Sequence, residues 1–148
     1  MSRTPGRTRE INFFRVNDQF ILADLPGYGY ARISKTRKAE WRPLIEGYLT
    51  KTPQLAGVVQ LLDMRHEPSE DDVAMLDLLS ELEMPTIVVL TKSDKLSKKD
   101  AAERARVISL ALALDPEQTI SFSAMTGEGR DELAGAVAAA VGSARDAK

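Results

Sequence analysis

Five short apolar runs, separated by turn signals and by capped helical stretches, leave this chain few folds to choose from. Residues 9–16 (REINFFRV) and 19–24 (QFILAD) flank Asn17-Asp18, a turn-forming pair, and read as a β-hairpin. A helix is expected from a cap at Ser34 to about Leu49, because Trp41, Leu44, Ile45 and Tyr48 recur at i, i+3, i+4 and i+7. Pro43 inside that pattern should kink or split it. Residues 57–63 form a continuously apolar run of the kind buried in parallel sheets. Ser69, followed by Glu70, Asp71 and Asp72, opens a second helix, with acids where the helix dipole favours them. Its buried face is expected to be Val73, Leu76, Leu79 and Leu82. Pro85 ends it, and residues 86–90 make the next strand. Ser97 caps a third helix with Asp100 at the capping-box position, residues 118–123 make a last strand, and Gly127 and Gly129 mark a loop. Residues 131–141 read as a final alanine-rich helix.

The order is hairpin, helix, strand, helix, strand, helix, strand, helix. Such alternation predicts an α/β fold, a mostly parallel sheet with helices on both faces and one antiparallel hairpin strand. In sheets of this kind ligands bind beyond the carboxyl ends of the strands. The length of 148 residues suits one domain, expected over residues 1–142, with 143–148 as a disordered tail. The net charge of -2 favours neither nucleic acid nor membrane, and the lack of cysteine excludes disulfides and thiolate-ligated metals. No stretch resembles a signal peptide or approaches the roughly 20 apolar residues of a membrane span. The expectation is a cytoplasmic protein without a membrane partner.

Three strand ends carry suggestive chemistry. Asp24-Leu25-Pro26-Gly27 places a carboxylate where it could hold hydrated magnesium, with a glycine whose N–H could approach a phosphate closely. Read alone, D-x-x-G is more often an ordinary turn. Thr91-Lys92-Ser93-Asp94 places an aspartate where it could accept two hydrogen bonds from guanine, at N1–H and the exocyclic amine. Adenine has no such donor pair, so a site of this kind rejects it. The competing reading is a solvated charged loop. Phe122-Ser123-Ala124 could offer a backbone N–H to the guanine oxygen but is uninformative by itself. The three occur in order, each at a strand end, and that conjunction is the arrangement of a translation-factor-type GTPase. His66 and the Asp63-Met64-Arg65-His66-Glu67-Pro68 turn have a plainer reading as a loop anchor, and Arg32, Lys35, Arg37 and Lys38 as a solvated helix start.

The strings Thr4-Pro5-Gly6-Arg7-Thr8, Ile11-Asn12-Phe13-Phe14, Asp24-Leu25-Pro26-Gly27-Tyr28-Gly29-Tyr30-Ala31 and Asp63-Met64-Arg65-His66 also occur in sequence. With Thr91-Lys92-Ser93-Asp94 and Phe122-Ser123-Ala124, the chain resembles the EngB (YihA/YsxC) family of bacterial ribosome-assembly GTPases over nearly its whole length. The resemblance implies a three-layer GTPase-type fold, and binding of GTP and GDP with Mg2+. It implies that Thr8 and Asp24 serve the metal, that Gly6, Arg7, Thr8, Arg9, Glu10, Leu25 and Pro26 line the nucleotide, and that Gly27 donates its N–H to the γ-phosphate. Lys92 and Asp94 would read guanine, with Ser123 and Ala124 backing the base, and Thr91, Ser93 and Phe122 would complete the nucleotide-binding set. It implies a cytoplasmic monomer that assists assembly of the large ribosomal subunit, through rRNA and ribosomal proteins, and that is linked to division septum formation. Tyr28 stands where Ras-like GTPases place a water-orienting glutamine, a replacement that the family shares, so no catalytic residue is assigned.

Family members carry a strand, a G-x-x-x-x-G-K-S loop and a helix ahead of the T-P-G-R-T string. No G-x-x-x-x-G-K-[ST] occurs in these 148 residues. That loop supplies the phosphate cradle, a lysine and a magnesium-binding serine. The resemblance therefore implies an N-terminally truncated piece of a family member, lacking the first strand, P-loop and first helix and impaired in GTP binding and hydrolysis. A central strand missing from the sheet should leave open edges and exposed apolar surface. The alternative is a non-hydrolysing relic that serves as a protein- or ribosome-binding module.

Overall fold

The computed structural model describes residues 11–25, 27 and 35–147, with backbone alone over 35–40. They divide into two compact units, one ending at Leu55 and the other starting at Ala56.

In the first unit, β1 (Asn12–Val16) pairs antiparallel with β2 (Phe20–Asp24), in a register that sets Phe14 opposite Leu22. Asn17 and Asp18 both take positive φ, 49° and 53°, a conformation that their short polar side chains tolerate. The Gln19 N–H closes the turn on the Val16 carbonyl at 2.9 Å. Helix α1 (Lys35–Lys51) is not split at Pro43. Its buried positions are Ile45 and Leu49, with Trp41 and Tyr48 half-buried and Leu44 on the rim, so the expected face is turned toward Leu49. The Tyr48 ring lies 6.4 Å from that of Phe13. The expected cap, Ser34, falls outside the described residues.

In the second unit, β3 (Val58–Asp63), β4 (Thr86–Thr91) and β5 (Thr119–Ser121) form a parallel sheet in that order. Helices α2 (Glu70–Glu81) and α3 (Lys98–Ala111) make the two crossovers, and α4 (Arg130–Asp146) follows β5. The central strand is apolar on both faces, and Val88, Val89 and Leu90 are fully buried. Leu62, Met64, Val88 and Leu90 pack with Ala101 and Ile108 of α3, which fixes the sheet under that helix. On the opposite face Val89 and Ile120 are buried, but Leu61 of β3 stays 63% exposed, and the hairpin exposes Phe13, Phe14, Ile21 and Leu22. Among the described residues the strands form two sheets, a hairpin and a three-stranded parallel sheet with β3 and β5 at its edges.

The helix starts follow the sequence closely. Ser69 and Asp72 form a reciprocal capping box, and the Ser97 hydroxyl accepts the Asp100 N–H at 3.1 Å. The buried face of α2 differs from expectation: Met75, Leu78 and Leu79 are buried, while Val73 is exposed. Residues 75, 78, 79 and 82 follow the i, i+3, i+4, i+7 spacing of one helix face, Leu76 of the expected face is half-buried against the core, and Val73 belongs to the first, solvated turn. Both α2 and α3 end without glycine. Glu83 and Ala113 take the left-handed conformation, and Met84 and Leu114 N–H groups close back on Leu79 and Ser109. A short 3-10 turn, Pro116–Gln118, takes the start of the run expected as the last strand. Helix α4 continues to Asp146, past the expected end at 141.

Candidate functional site

Three loops meet beyond the carboxyl ends of β3, β4 and β5, and backbone hydrogen bonds carry the sheet's order into them. The Met64 N–H donates to the Thr91 carbonyl at 3.1 Å, the Phe122 N–H to Leu90 at 2.8 Å, and the Ser93 N–H to Phe122 at 3.1 Å. Side chains tie the outer pair: the Thr91 hydroxyl donates to the Leu62 carbonyl at 3.2 Å, and Arg104 Nε donates to the Met64 carbonyl at 3.0 Å.

At the end of β4, Lys92 turns the chain through φ 64° and ψ 35°, into a 3-10 turn over Ser93–Lys95. That turn presents Asp94, whose Oδ1 accepts a hydrogen bond from the Ser123 hydroxyl at 2.8 Å. Ser123 is fully buried, and its oxygen also accepts the Thr126 N–H at 3.1 Å, so this hydroxyl is committed on both sides. Asp94 Oδ2 lies 4.0 Å from Lys95 Nζ, and the Arg65 guanidinium also feels the Asp94 charge. An ionised carboxylate offers about four lone-pair sites, so Asp94 can still accept two donors from a ligand. Ser93 is buried, and its hydroxyl donates to Glu128 Oε2 at 3.0 Å.

Asp63 ends β3 and gathers cations. Arg65 donates to it twice from its guanidinium, at 3.1 and 2.8 Å, and once from its backbone N–H at 3.0 Å. Lys92 Nζ lies 3.3 Å from Asp63 Oδ2. The Arg65 guanidinium holds the Asp63 carboxyl far below its ordinary value of 3.8, against partial burial, with the Arg65 N–H and Lys92 adding to the effect. A carboxylate lowered in the folded state stabilises the fold above its unfolded value, and that stabilisation is lost as pH falls through the folded value. Asp63→Asn should therefore lower the unfolding midpoint at neutral pH, and the deficit should shrink below about pH 3.9. Thermal unfolding of both proteins across that range measures it; a deficit independent of pH would contradict the assignment.

The structure brings Thr91, Lys92, Ser93, Asp94, Phe122, Ser123 and Ala124 together in the second unit. Asp24 ends β2 in the first unit and is exposed, as is Gly27, while Leu25 is half-buried. Gly6, Arg7, Thr8, Arg9, Glu10 and Pro26 lie outside the described residues. Among the described residues no group of three or more acidic, histidine or cysteine side chains could enclose a metal. One exposed carboxylate such as Asp24 nevertheless suits magnesium, which keeps several waters and takes one or two carboxylates. His66 stands in the turn that Asp63 anchors, its N–H donating to the Asp63 carbonyl at 3.2 Å. Sequence reasoning missed the Asp63–Lys92 ion pair and the Glu128–Ser93 hydrogen bond. The position of Asp63 at a strand end, level with the other two loops, was the available signal for the first.

Residues 1–92 match the family described as 50S ribosome-binding GTPase. A probable GTP-binding protein EngB of Gemmatimonas aurantiaca is 64% identical over 137 residues, covering 93% of this chain and 67% of that protein. The chain belongs to the EngB family of GTP-binding proteins. A second EngB relative, from Syntrophomonas wolfei, is 50% identical over 137 residues, covering 93% of the chain and 70% of the relative. The chain thus spans about two thirds of the length of these EngB relatives. Solved structures agree on the fold. The crystal structure of a probable GTP-binding protein engB superposes with a TM-score of 0.77 at 20% identity, over 95% of this chain and 86% of that one. Era, solved with MgGDPNP and nucleotides 1506–1542 of 16S ribosomal RNA, superposes with a TM-score of 0.68 at 21% identity, over 93% and 46%. The α/β fold read from the strand–helix alternation, and the GTPase-type fold that the resemblance implied, are the fold of this EngB-family chain. No described helix is long and apolar enough to cross a membrane.

Proposed function

We propose that the loops beyond β4 and β5 form the guanine-reading half of a GTPase site, and that the carrying observation is the placement of Asp94. Its carboxylate is anchored on one oxygen by buried Ser123 and keeps acceptor capacity for the guanine N1–H and exocyclic amine. On this reading the donor to the guanine oxygen is the Ala124 N–H. The Phe122 and Ser123 N–H groups are spent on the Leu90 and Glu128 carbonyls, which leaves Ala124. The Lys92 stem is the candidate platform for the base plane, with its amine drawn to Asp63.

On this reading Thr8 and Asp24 hold Mg2+, Gly6, Arg7, Arg9, Glu10, Leu25 and Pro26 line the nucleotide, and Gly27 donates its N–H to the γ-phosphate. Magnesium would neutralise charge on the β- and γ-phosphate oxygens. Residues 1–142 would act as one partial G domain in the cytoplasm, as a monomer whose partner is the large ribosomal subunit or its assembly intermediate, with a link to septation. The family description as 50S ribosome-binding supports that partner. As written, these 148 residues contain no G-x-x-x-x-G-K-[ST], so weak nucleotide binding and impaired hydrolysis follow for this polypeptide.

Asp94→Asn tests the base-reading role. The amide keeps one acceptor but turns a donor toward guanine's own donors, so the preference for GDP over ADP should fall about 10²-fold, as two charge-assisted bonds of about 1.5–3 kcal/mol are lost or weakened. Ligand-detected NMR at millimolar nucleotide measures the ratio. A ratio unchanged by the substitution would remove Asp94 from the role.

A further inference from the structure

Glu128 reaches from the loop after β5 to the loop after β4, and it touches both residues that fix where Asp94 points. Its Oε2 accepts the Ser93 hydroxyl at 3.0 Å, and its backbone carbonyl accepts the Ser123 N–H at 3.0 Å. Ser93 immediately precedes Asp94 and is 3% exposed, while Ser123 is fully buried and grips the Asp94 carboxylate directly. The contacts close a ring through Ser93, Glu128, Ser123 and Asp94. Glu128 is itself held in place, because its N–H donates to the Thr126 hydroxyl at 3.2 Å. Its neighbour Gly129 lies so close to β5 that a Cβ there would stand 2.1 Å from the Ser121 carbonyl oxygen.

We propose that Glu128 is a positioning residue for base specificity: its carboxylate clasps the two base-reading loops together and so sets the direction of the Asp94 carboxylate. The proposal rests on the guanine reading above. A nearly fully buried hydroxyl that loses its acceptor must find another or open its loop to water. Alanine at 128 removes the acceptor and frees the Ser93–Asp94 turn, whereas glutamine keeps a carbonyl oxygen in the same place. The clasp thus acts through an acceptor atom and not through charge.

The test compares the unaltered chain with Glu128→Ala, Glu128→Gln and Asp94→Asn. Saturation-transfer NMR with guanosine and adenosine, which carry no phosphate, reads the base preference, and amide hydrogen exchange reads the loop. Glu128→Ala is expected to cut the guanosine preference about fivefold to tenfold, with faster exchange at Ser93 and Asp94. Glu128→Gln is expected to retain both properties within about twofold, a rescue that loss of folding stability alone would not produce. A guanosine preference that survives in Glu128→Ala, or that is lost equally in Glu128→Gln, would overturn the proposal while leaving the guanine reading intact. No preference in the unaltered chain would bring down the guanine reading and the positioning role with it.

Discussion

Joined to the strand, G-x-x-x-x-G-K-[ST] loop and helix of an EngB relative, the chain is expected to bind GDP at least about 10³-fold more tightly than the 148 residues alone. The phosphate loop adds a lysine and several backbone N–H donors, charge-assisted contacts to phosphate oxygens worth about 1.5–3 kcal/mol each, together with a hydroxyl for magnesium. Three such contacts exceed about 4 kcal/mol, which is the difference between a millimolar and a micromolar dissociation constant. Base contacts alone cannot supply that. The two polypeptides are compared by titration with fluorescent GDP in magnesium. Micromolar, guanine-selective binding by the 148 residues alone would show that the phosphate loop is dispensable. Equal weak binding by both would count against the reading of these residues as one part of a nucleotide site.

Gly129→Ala should be among the most damaging single substitutions in the second unit. Gly129 has φ +78°, so any side chain meets left-handed strain of about 1–2 kcal/mol. A Cβ would also stand 2.1 Å from the Ser121 carbonyl oxygen, and that atom belongs to a strand and cannot swing away. Overpacking of this kind costs about 1–3 kcal/mol more. The sum is a large part of the stability of an ordinary domain, about 5–15 kcal/mol. Gly127 has a positive φ as well, but an added Cβ there meets nothing within 4 Å. Denaturant unfolding of Gly127→Ala and Gly129→Ala separates the two effects: the first should show the backbone strain only, the second clearly more. Equal losses would mean that the β5 contact yields easily.

Strand and helix order was legible in the sequence because each element carries its own local signal. The apolar runs are short, Ser69 and Ser97 are followed by acids that complete or extend a cap, and Asn17-Asp18 makes a turn by itself. The details that were misjudged depend on more than local pattern. Val73 shares the spacing of a buried residue, but it lies in the first turn of α2, and the sheet meets the helix further along. The left-handed ends at Glu83 and Ala113 lack the glycine that usually announces them. Lys92, Asp94 and Ser123 were legible because they fall in short strings at strand ends. The partners Asp63 and Glu128 were not, because the contacts Asp63–Lys92 and Ser93–Glu128 depend on strand register and on the turn before α4. Leu61 belongs to a continuously apolar run of the kind that parallel sheets bury on both faces, yet it stays exposed here, which the local pattern of the sequence does not announce.

Backbone amide shifts of the isotope-labelled chain, titrated with guanosine and separately with adenosine, test the central claim most directly. Guanosine should move the amides of residues 91–95 and 122–128, with Ala124 among the largest, and adenosine should leave them in place. Equal responses to the two nucleosides, or guanosine shifts confined to residues elsewhere in the chain, would contradict the assignment of these loops as a guanine site.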